Sequence, residues 1–405
     1  MQWISNSFPT FFIVLVIVVD VSIAKSPIIL IPGTGGNRLE AKLTGKKWKP
    51  AWYCLSSTIT FYTLWFDLTA PFPGFTKCWA DNIRLEWDLE KMTTSDVQGV
   101  ETKVPEFGRT ESVEYLDSVG VIPYMKSLVE YFVTMGYERN KEIRAAPYDF
   151  RYSPDTTPHN YFNELKDLIE ETYVLNNNEA VTLITHSYGG LMTLYFLNKV
   201  SKSWKKKFIK QWIALAAPFG GSILETLVYA SGFVDKKLER VIEPLDVRAG
   251  QRSFTSNLVL LPSRFAWSDD YVFAQISNKT FIISNISGYL DQVGFHEGTL
   301  MMEQIVNNTE LMKMSPGVPI SCFYGNKLNS TVNRLIFDKS GFPDHPIGFE
   351  YGHGDGSVNL ESLVLCEMFA DLQKENVTIH ELPDVGHLDI LENEELFSTI
   401  ESMVI

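Results

Sequence analysis

Ser187 stands where a short apolar run, Val181 to Thr185, stops abruptly at His186, Ser187, Tyr188, Gly189 and Gly190. An apolar helix-forming run, Leu191 to Val200, follows. A strand, a sharp turn and a helix in that order form a nucleophile elbow. It lifts a serine hydroxyl to the carboxyl edge of a sheet, beside backbone N–H groups and a helix N-terminus. An oxyanion forming there during ester cleavage is stabilised by those donors. The position two before the serine is Thr185, so the strict G-x-S-x-G is absent. The same residues also fit a plain strand–helix turn in which Gly189 and Gly190 serve geometry alone.

A serine hydroxyl is a poor nucleophile until a base removes its proton, and the base needs a third group to hold its tautomer. On a sheet of this kind the members follow in the order serine, acid, histidine. Of the seven histidines, His159 and His186 precede the serine, His296 lies in an irregular stretch, and His345 and His353 precede the best acid. The chosen base is His387, which follows the last apolar strand (the run that contains His380), with Gly386 allowing a tight loop. Asp355, flanked by Gly354 and Gly356, is the preferred acid over Asp371, Asp384 and Asp389. The oxyanion is expected to meet the N–H of Tyr188 and a second N–H from the turn after the first strand, at Thr34.

These side chains need a scaffold. Apolar β-rich runs occur at 26–31, 181–185, 212–216, 320–324 and 377–382. Helix-period segments run through Ile122, Met125, Leu128, Val129 and Phe132, and through Tyr161, Phe162, Leu165, Leu168 and Ile169. Alternating strands and helices predict an α/β fold with a mostly parallel, doubly wound sheet. Two stretches break that rhythm. Residues 48–79 are crowded with aromatics and bracketed by Cys54 and Cys78. Their aromatics either seek a lipid interface or pack inward as core. Residues 222–312 are poorly periodic and are expected to form a cap or lid.

The chain has 405 residues with a formal net charge of −14, which argues against a nucleic-acid partner. Phe11 to Val19 is an apolar run followed by small residues at Ser22 and Ala24, so residues 1–24 read as a signal peptide. The run is too short to span a bilayer, and an uncleaved anchor is the alternative reading. Sequons at Asn278, Asn285, Asn307, Asn329 and Asn376 agree with entry into the secretory pathway. Four cysteines allow three pairings; Cys54–Cys78 with Cys322–Cys366 is preferred as the one without nesting. Closing the first loop stabilises the fold by roughly 3 kcal/mol in the chain-entropy model. No metal-ligand spacing is present, and no cofactor or metal is expected. Lys202, Lys205, Lys206, Lys207 and Lys210 read as a solvated helix end or as an attractor for anionic headgroups.

Several longer motifs occur in order: Ile31-Pro32-Gly33 with Gly36-Asn37-Arg38-Leu39-Glu40-Ala41-Lys42-Leu43, Ser112 to Asp117, and Arg144 to Asp149. His186-Ser187, Ala217 to Ser222 and Gly354 to Leu360 complete the set. In these the chain resembles the lecithin–cholesterol acyltransferase family, and within it the lysosomal phospholipase A2 branch. The resemblance runs from about Pro27 to about Glu392. It implies an α/β-hydrolase core (25–47, 80–221 and 313–405) carrying Ser187, Asp355 and His387. It also implies a membrane-binding excursion (48–79) closed by Cys54–Cys78, with Trp65 as a lipid-contacting residue and Leu64 and Phe66 beside it. A cap over 222–312 is implied to hold a lid near 225–250. Where the lysosomal branch has an aspartate and the plasma branch a cysteine, this chain has Thr34.

The expected activity is therefore that of a lumenal phospholipase A and O-acyltransferase, in the lysosome or secreted. It takes an acyl group from a glycerophospholipid at a membrane or lipoprotein surface and passes it to water or to a lipid alcohol such as ceramide. The chain is expected to act as a monomer. A sterol acceptor, or a non-catalytic lipid-binding protein on a hydrolase scaffold, are the alternatives.

Overall fold

The computed structural model describes residues 25–405, except 71, 73, 159, 235–241 and 307. The expected signal peptide, the sequon at Asn307 and part of the expected lid lie outside the described residues.

Six parallel strands carry the architecture. In spatial order they begin Ile143–Ala145, Ile28–Ile31, Val181–His186 and Ile209–Leu215. The fifth is the first half of Ile320–Phe337, and Val377–Pro383 lies on its other side. Successive side chains of a strand face opposite sides of a sheet. Here both sides are covered, so both sets are apolar. Ile29, Ile31, Leu183 and Trp212 pack with Leu165, Ile169, Leu191 and Leu194 on one face. Ile28, Leu30, Ile184 and Ile213 pack with Leu128, Val129, Phe132 and Ile400 on the other. This is why the strands read as unbroken apolar runs.

Ile320–Phe337 runs 18 residues, far beyond its parallel neighbours. Its outer half pairs with Val272–Ile276 in parallel and with Gly348–Gly354 antiparallel, and Lys279–Ile282 adds a further strand. Two strands of the 222–312 stretch thus extend the main sheet. The register also places the site. Gly354 pairs with Lys327, and Pro383 pairs with the adjoining Asn326. The turn carrying Asp355 and the loop carrying His387 therefore leave the same part of one strand.

The 48–79 excursion shares its sheet with flanking chain: Tyr62–Trp65 pairs with Leu39–Leu43, which pairs with Val100–Lys103. Cys54 is bonded to Cys78, and Cys322 to Cys366. The aromatic residues divide between the two expected roles. Trp65 and Trp79 stack on each other and pack against the core. Trp52 is 90% exposed, Ile59 is 95% exposed, and Trp48, Leu55, Phe72 and Phe75 also face solvent. Leu64 departs from expectation: it is fully buried in the core and cannot meet a membrane. Leu64 and Trp65 are strand neighbours, so their side chains take opposite faces. Lys205 leaves the expected basic cluster, because its side chain is buried and donates to the Pro316 carbonyl at 2.7 Å.

Arg151 ties together four points of the core and meets the 222–312 stretch. Its guanidinium is fully buried and bonds Asp149 at 2.8 and 2.6 Å, Asp96 at 2.8 Å, Thr102 at 2.8 Å and the Ile83 carbonyl at 3.1 Å. Its own carbonyl accepts from the Ser256 N–H at 3.2 Å. Removing one partner of a buried ion pair strands the other charge, at a cost of about 3–5 kcal/mol. Arg151→Met should lower unfolding free energy by that amount, read from the denaturant midpoint; a loss under about 1 kcal/mol refutes the role.

Candidate active site

Strand Val181–His186 is buried along its whole length and ends at Ser187. The chain turns into helix Gly189–Lys199 within two residues. Ser187 takes φ 54°, a left-handed backbone that is uncommon for a residue with a Cβ. The Ser187 N–H donates to the Leu215 carbonyl at 2.8 Å, and its carbonyl accepts from Gly190 N at 2.9 Å. The helix then passes so close to the first strand that a Cβ on Gly189 would sit 2.4 Å from the Pro32 oxygen. Thr185, in place of the usual glycine, is accommodated because its hydroxyl accepts from the Trp212 indole N–H at 2.9 Å.

The other expected members converge on this serine. His387 Nε2 lies 3.0 Å from Ser187 Oγ, and His387 Nδ1 lies 2.7 Å from Asp355 Oδ2. Asp355 is buried, and its Oδ1 accepts the N–H groups of Ser357 at 3.0 Å and Val358 at 2.7 Å. The His387 N–H donates to the Asp355 carbonyl at 2.9 Å, which fastens the histidine loop to the acid turn. The Asp355 carboxylate is the one that reaches the imidazole; Asp371, Asp384 and Asp389 are exposed. Thr34 lies in the turn after Ile28–Ile31, closed by a Gly36 N–H to Gly33 carbonyl bond of 3.0 Å. That turn abuts the elbow, since a Cβ on Gly33 would fall 2.7 Å from Ser187 Cβ. Among the described residues, the N–H groups of Thr34 and Tyr188 have no acceptor. The Tyr188 side chain is fully buried, and its hydroxyl donates to the Tyr152 carbonyl at 3.0 Å.

Trp65 closes this turn from the excursion side, its indole N–H donating to the Gly35 carbonyl at 2.7 Å. Phe66 is half-buried beside it, with ring centroids 5.0 Å apart. An open cavity of about 690 Å³ lies within the excursion, walled by Tyr53, Leu55, Tyr62, Phe75 and Trp79; none of Ser187, Asp355 and His387 lines it. The sequons at Asn278, Asn285, Asn329 and Asn376 are exposed.

A family model described as "Lecithin:cholesterol acyltransferase" matches residues 61–313, more than half of the chain. The chain belongs to the lecithin:cholesterol acyltransferase family. It is 37% identical over 374 residues to the human "Lysosomal phospholipase A and acyltransferase", covering 91% of this chain and 87% of the relative. It is also 37% identical over 371 residues to the human "Phosphatidylcholine-sterol acyltransferase", covering 90% and 81%. "Lecithin-cholesterol acyltransferase-like 1" of Arabidopsis thaliana is 34% identical over 421 residues, covering 97% and 94%. Among solved structures, that titled "The crystal structure of Tle4-Tli4 complex" aligns with a TM-score of 0.50 at 13% identity, covering 94% of this chain and 99% of that one. The fold is that of the α/β hydrolases.

Two titratable groups, one beside Ser187 and one in the 222–312 stretch, have strongly shifted acidities. His186, beside the nucleophile, is fully enclosed, and burial together with the nearby His387 pulls its pKa down to about 3. The elbow motif that contains it gives no hint of its bonding partners. Glu225, on cap helix Leu224–Ser231, is partly exposed, yet its Oε2 is buried and has no hydrogen-bond partner among the described residues. Burial pushes its carboxyl up to about 8.

The Glu225 shift fixes a stability profile. In the unfolded chain the carboxyl ionises near ~4.3. Between that pH and about 8 the unfolded chain has released a proton that the folded chain retains, so stability falls across the window and levels off above it. Glu225→Gln removes this dependence. The melting temperatures of variant and wild type should coincide near pH ~4 and separate progressively toward pH ~7.5, the variant being the more stable. An equal difference at both pH values rules the assignment out.

Proposed function

We propose that this chain is a serine acylhydrolase and O-acyltransferase working at a lipid surface. The observation that carries the reading is the unbroken contact from Asp355 through His387 to Ser187, at 2.7 and 3.0 Å. Ser187 Oγ attacks the acyl carbonyl carbon of a glycerophospholipid while His387 Nε2 takes its proton. Asp355 holds the Nδ1–H tautomer and stabilises the imidazolium that forms. The N–H groups of Tyr188 and Thr34 meet the oxyanion of the tetrahedral intermediate. The intermediate collapses with cleavage of the ester C–O bond. His387 protonates the departing glyceryl oxygen, which leaves a lysophospholipid and acyl-Ser187. Water, or a lipid alcohol such as ceramide, then attacks the acyl-serine with His387 again as base, and Ser187 is regenerated.

The surface for such chemistry is the exposed apolar rim of the excursion, with Trp52 and Ile59 at its most exposed positions. Apolar groups facing water gain free energy by entering a lipid interface. Trp65 acts at the lip of the oxyanion turn rather than at the tip of the excursion. The compartment is lumenal or extracellular, in the lysosome or secreted. Two disulfides, the exposed sequons and the likeness to the lysosomal relatives support this. No described helix is long and apolar enough to cross a membrane. A sterol acceptor is the second reading, favoured by equal identity to the human phosphatidylcholine-sterol acyltransferase.

Three measurements test this. Ser187→Ala should reduce acyl release from phosphatidylcholine vesicles by at least about 1,000-fold, and near-normal release from that variant refutes the mechanism. Vesicles carrying ceramide and cholesterol together should yield acylceramide; a steryl ester as sole acylated product selects the second reading. Paired Trp52→Asp and Ile59→Asp substitutions should weaken vesicle co-sedimentation by about tenfold or more. Unchanged sedimentation would place the docking face elsewhere.

A further inference from the structure

The catalytic base and the oxyanion turn are separated by 353 positions, yet a single chain of hydrogen bonds through two buried side chains joins them. The Gly33 N–H, immediately before Thr34, donates to Tyr124 Oη at 3.0 Å. Tyr124 Oη lies 2.5 Å from His186 Nδ1. His186 Nε2 lies 2.9 Å from the backbone carbonyl oxygen of His387.

Elementary valence leaves one arrangement. The His387 carbonyl can only accept, so His186 Nε2 carries the proton. A neutral imidazole then offers Nδ1 as an acceptor, and the Tyr124 hydroxyl must donate to it. The hydroxyl oxygen keeps lone pairs for the Gly33 N–H. Every donor and acceptor is satisfied, and all run in one direction from turn to base. Both side chains are enclosed: Tyr124 is 8% exposed and His186 1%. Burial depresses the His186 pKa to about 3, so the imidazole stays neutral and the bonding pattern persists from mildly acid to neutral pH. Burial also keeps Tyr124 protonated, because it raises the phenol well above its ordinary value.

Steric detail agrees. A Cβ on Gly36 would fall 2.6 Å from the Tyr124 ring, so the turn is shaped around that tyrosine. The rings of His186 and His387 are 4.8 Å apart between centroids. The His387 N–H is in turn bonded to the Asp355 carbonyl, which extends the chain to the acid turn.

We propose that Tyr124 and His186 are positioning residues that lock the oxyanion turn and the His387 loop into one rigid register around Ser187. They touch no reacting atom. They act by fixing where the Thr34 N–H and the His387 imidazole stand, and misplacement of reacting groups by about 1 Å can cost about 100-fold in rate. This inference rests on the Ser187 mechanism proposed above.

The test uses the full chain and a soluble p-nitrophenyl ester, with active sites counted by fluorophosphonate labelling and folding followed by thermal melts. Tyr124→Phe should lower kcat by about 10- to 100-fold with KM within about twofold. His186→Leu should do the same. His186→Gln, whose amide can still donate toward the His387 carbonyl, should recover part of the loss. Because the two residues act as one chain, the Tyr124→Phe/His186→Leu double variant should be no worse than about threefold below the poorer single variant. Multiplying losses, a lower melting point with unchanged kcat per labelled site, or no rescue by His186→Gln relative to His186→Leu each overturn the proposal. If the His186 variants do not fold, Tyr124→Phe decides alone, and an unchanged kcat refutes the lock. Ser187→Ala is measured in parallel. Activity surviving there removes the mechanism itself, whereas an inactive Ser187→Ala beside a fully active Tyr124→Phe removes only the positioning role.

Discussion

The left-handed backbone of Ser187 is the constraint to which the rest of the site answers. A residue with a Cβ holds φ 54° only when its surroundings over-determine it. Here three contacts do so. The Ser187 N–H is tied to Leu215 on the next strand, the following helix bears down on Pro32 of the first, and Thr185 is pinned by Trp212. Each fixing element is a parallel strand or the turn at its carboxyl end. Parallel strands bring those ends to one edge of the sheet, where crevices for ligands form. The serine hydroxyl is thus exposed by the same packing that buries the strand beneath it.

The acid and the base reach that edge by different routes through one long strand. Ile320–Phe337 overshoots the sheet, reverses, and returns as Gly348–Gly354 to deliver Asp355. Val377–Pro383 runs alongside the same strand and delivers His387. Because Gly354 and Pro383 pair with adjoining positions of that strand, the separation of acid and base is set by sheet register rather than by loop conformation. The backbone bond from His387 to Asp355 then removes the remaining freedom of the loop. Sites built on regular elements are held more tightly than sites built on loops alone.

What the sequence made legible follows from how local each signal is. The elbow, the buried strands and the choice of His387 rest on short-range patterns and on chain order, and these suffice because turn residues and apolar periodicity act over a few positions. Strand pairing in the 222–312 stretch is non-local: Val272–Ile276 is defined by a partner some 60 residues later, and no pattern within the stretch announces that partner. The burial of Leu64 is legible in the strand alternation itself. Alternation along Tyr62–Trp65 already separates it from Trp65, but the aromatic crowding around it obscures the two-residue period. Lys205 shares its charge with its neighbours in sequence, yet its position on that helix faces the Pro316 carbonyl. His186 and Tyr124 lie 62 residues apart and no motif links them, so their contact is visible only once the fold brings the turn, the elbow and the last loop together.

The buried titratable groups give this arrangement a particular response to acidity. Unfolded, His186 takes up a proton as pH falls through ~6.5, whereas the folded protein resists protonation until about 3. Its contribution to stability is therefore lost as pH falls across that interval. Glu225 works in the opposite sense, its penalty growing as pH rises toward about 8. Over the interval they share, the folded protein changes its proton count at neither position. His186 beside Ser187 therefore stays neutral there, and it is the balance with the unfolded chain that moves. Thr34 adds to this constancy, because its hydroxyl, in the turn that abuts Ser187, has no charge to gain or lose where a carboxyl would.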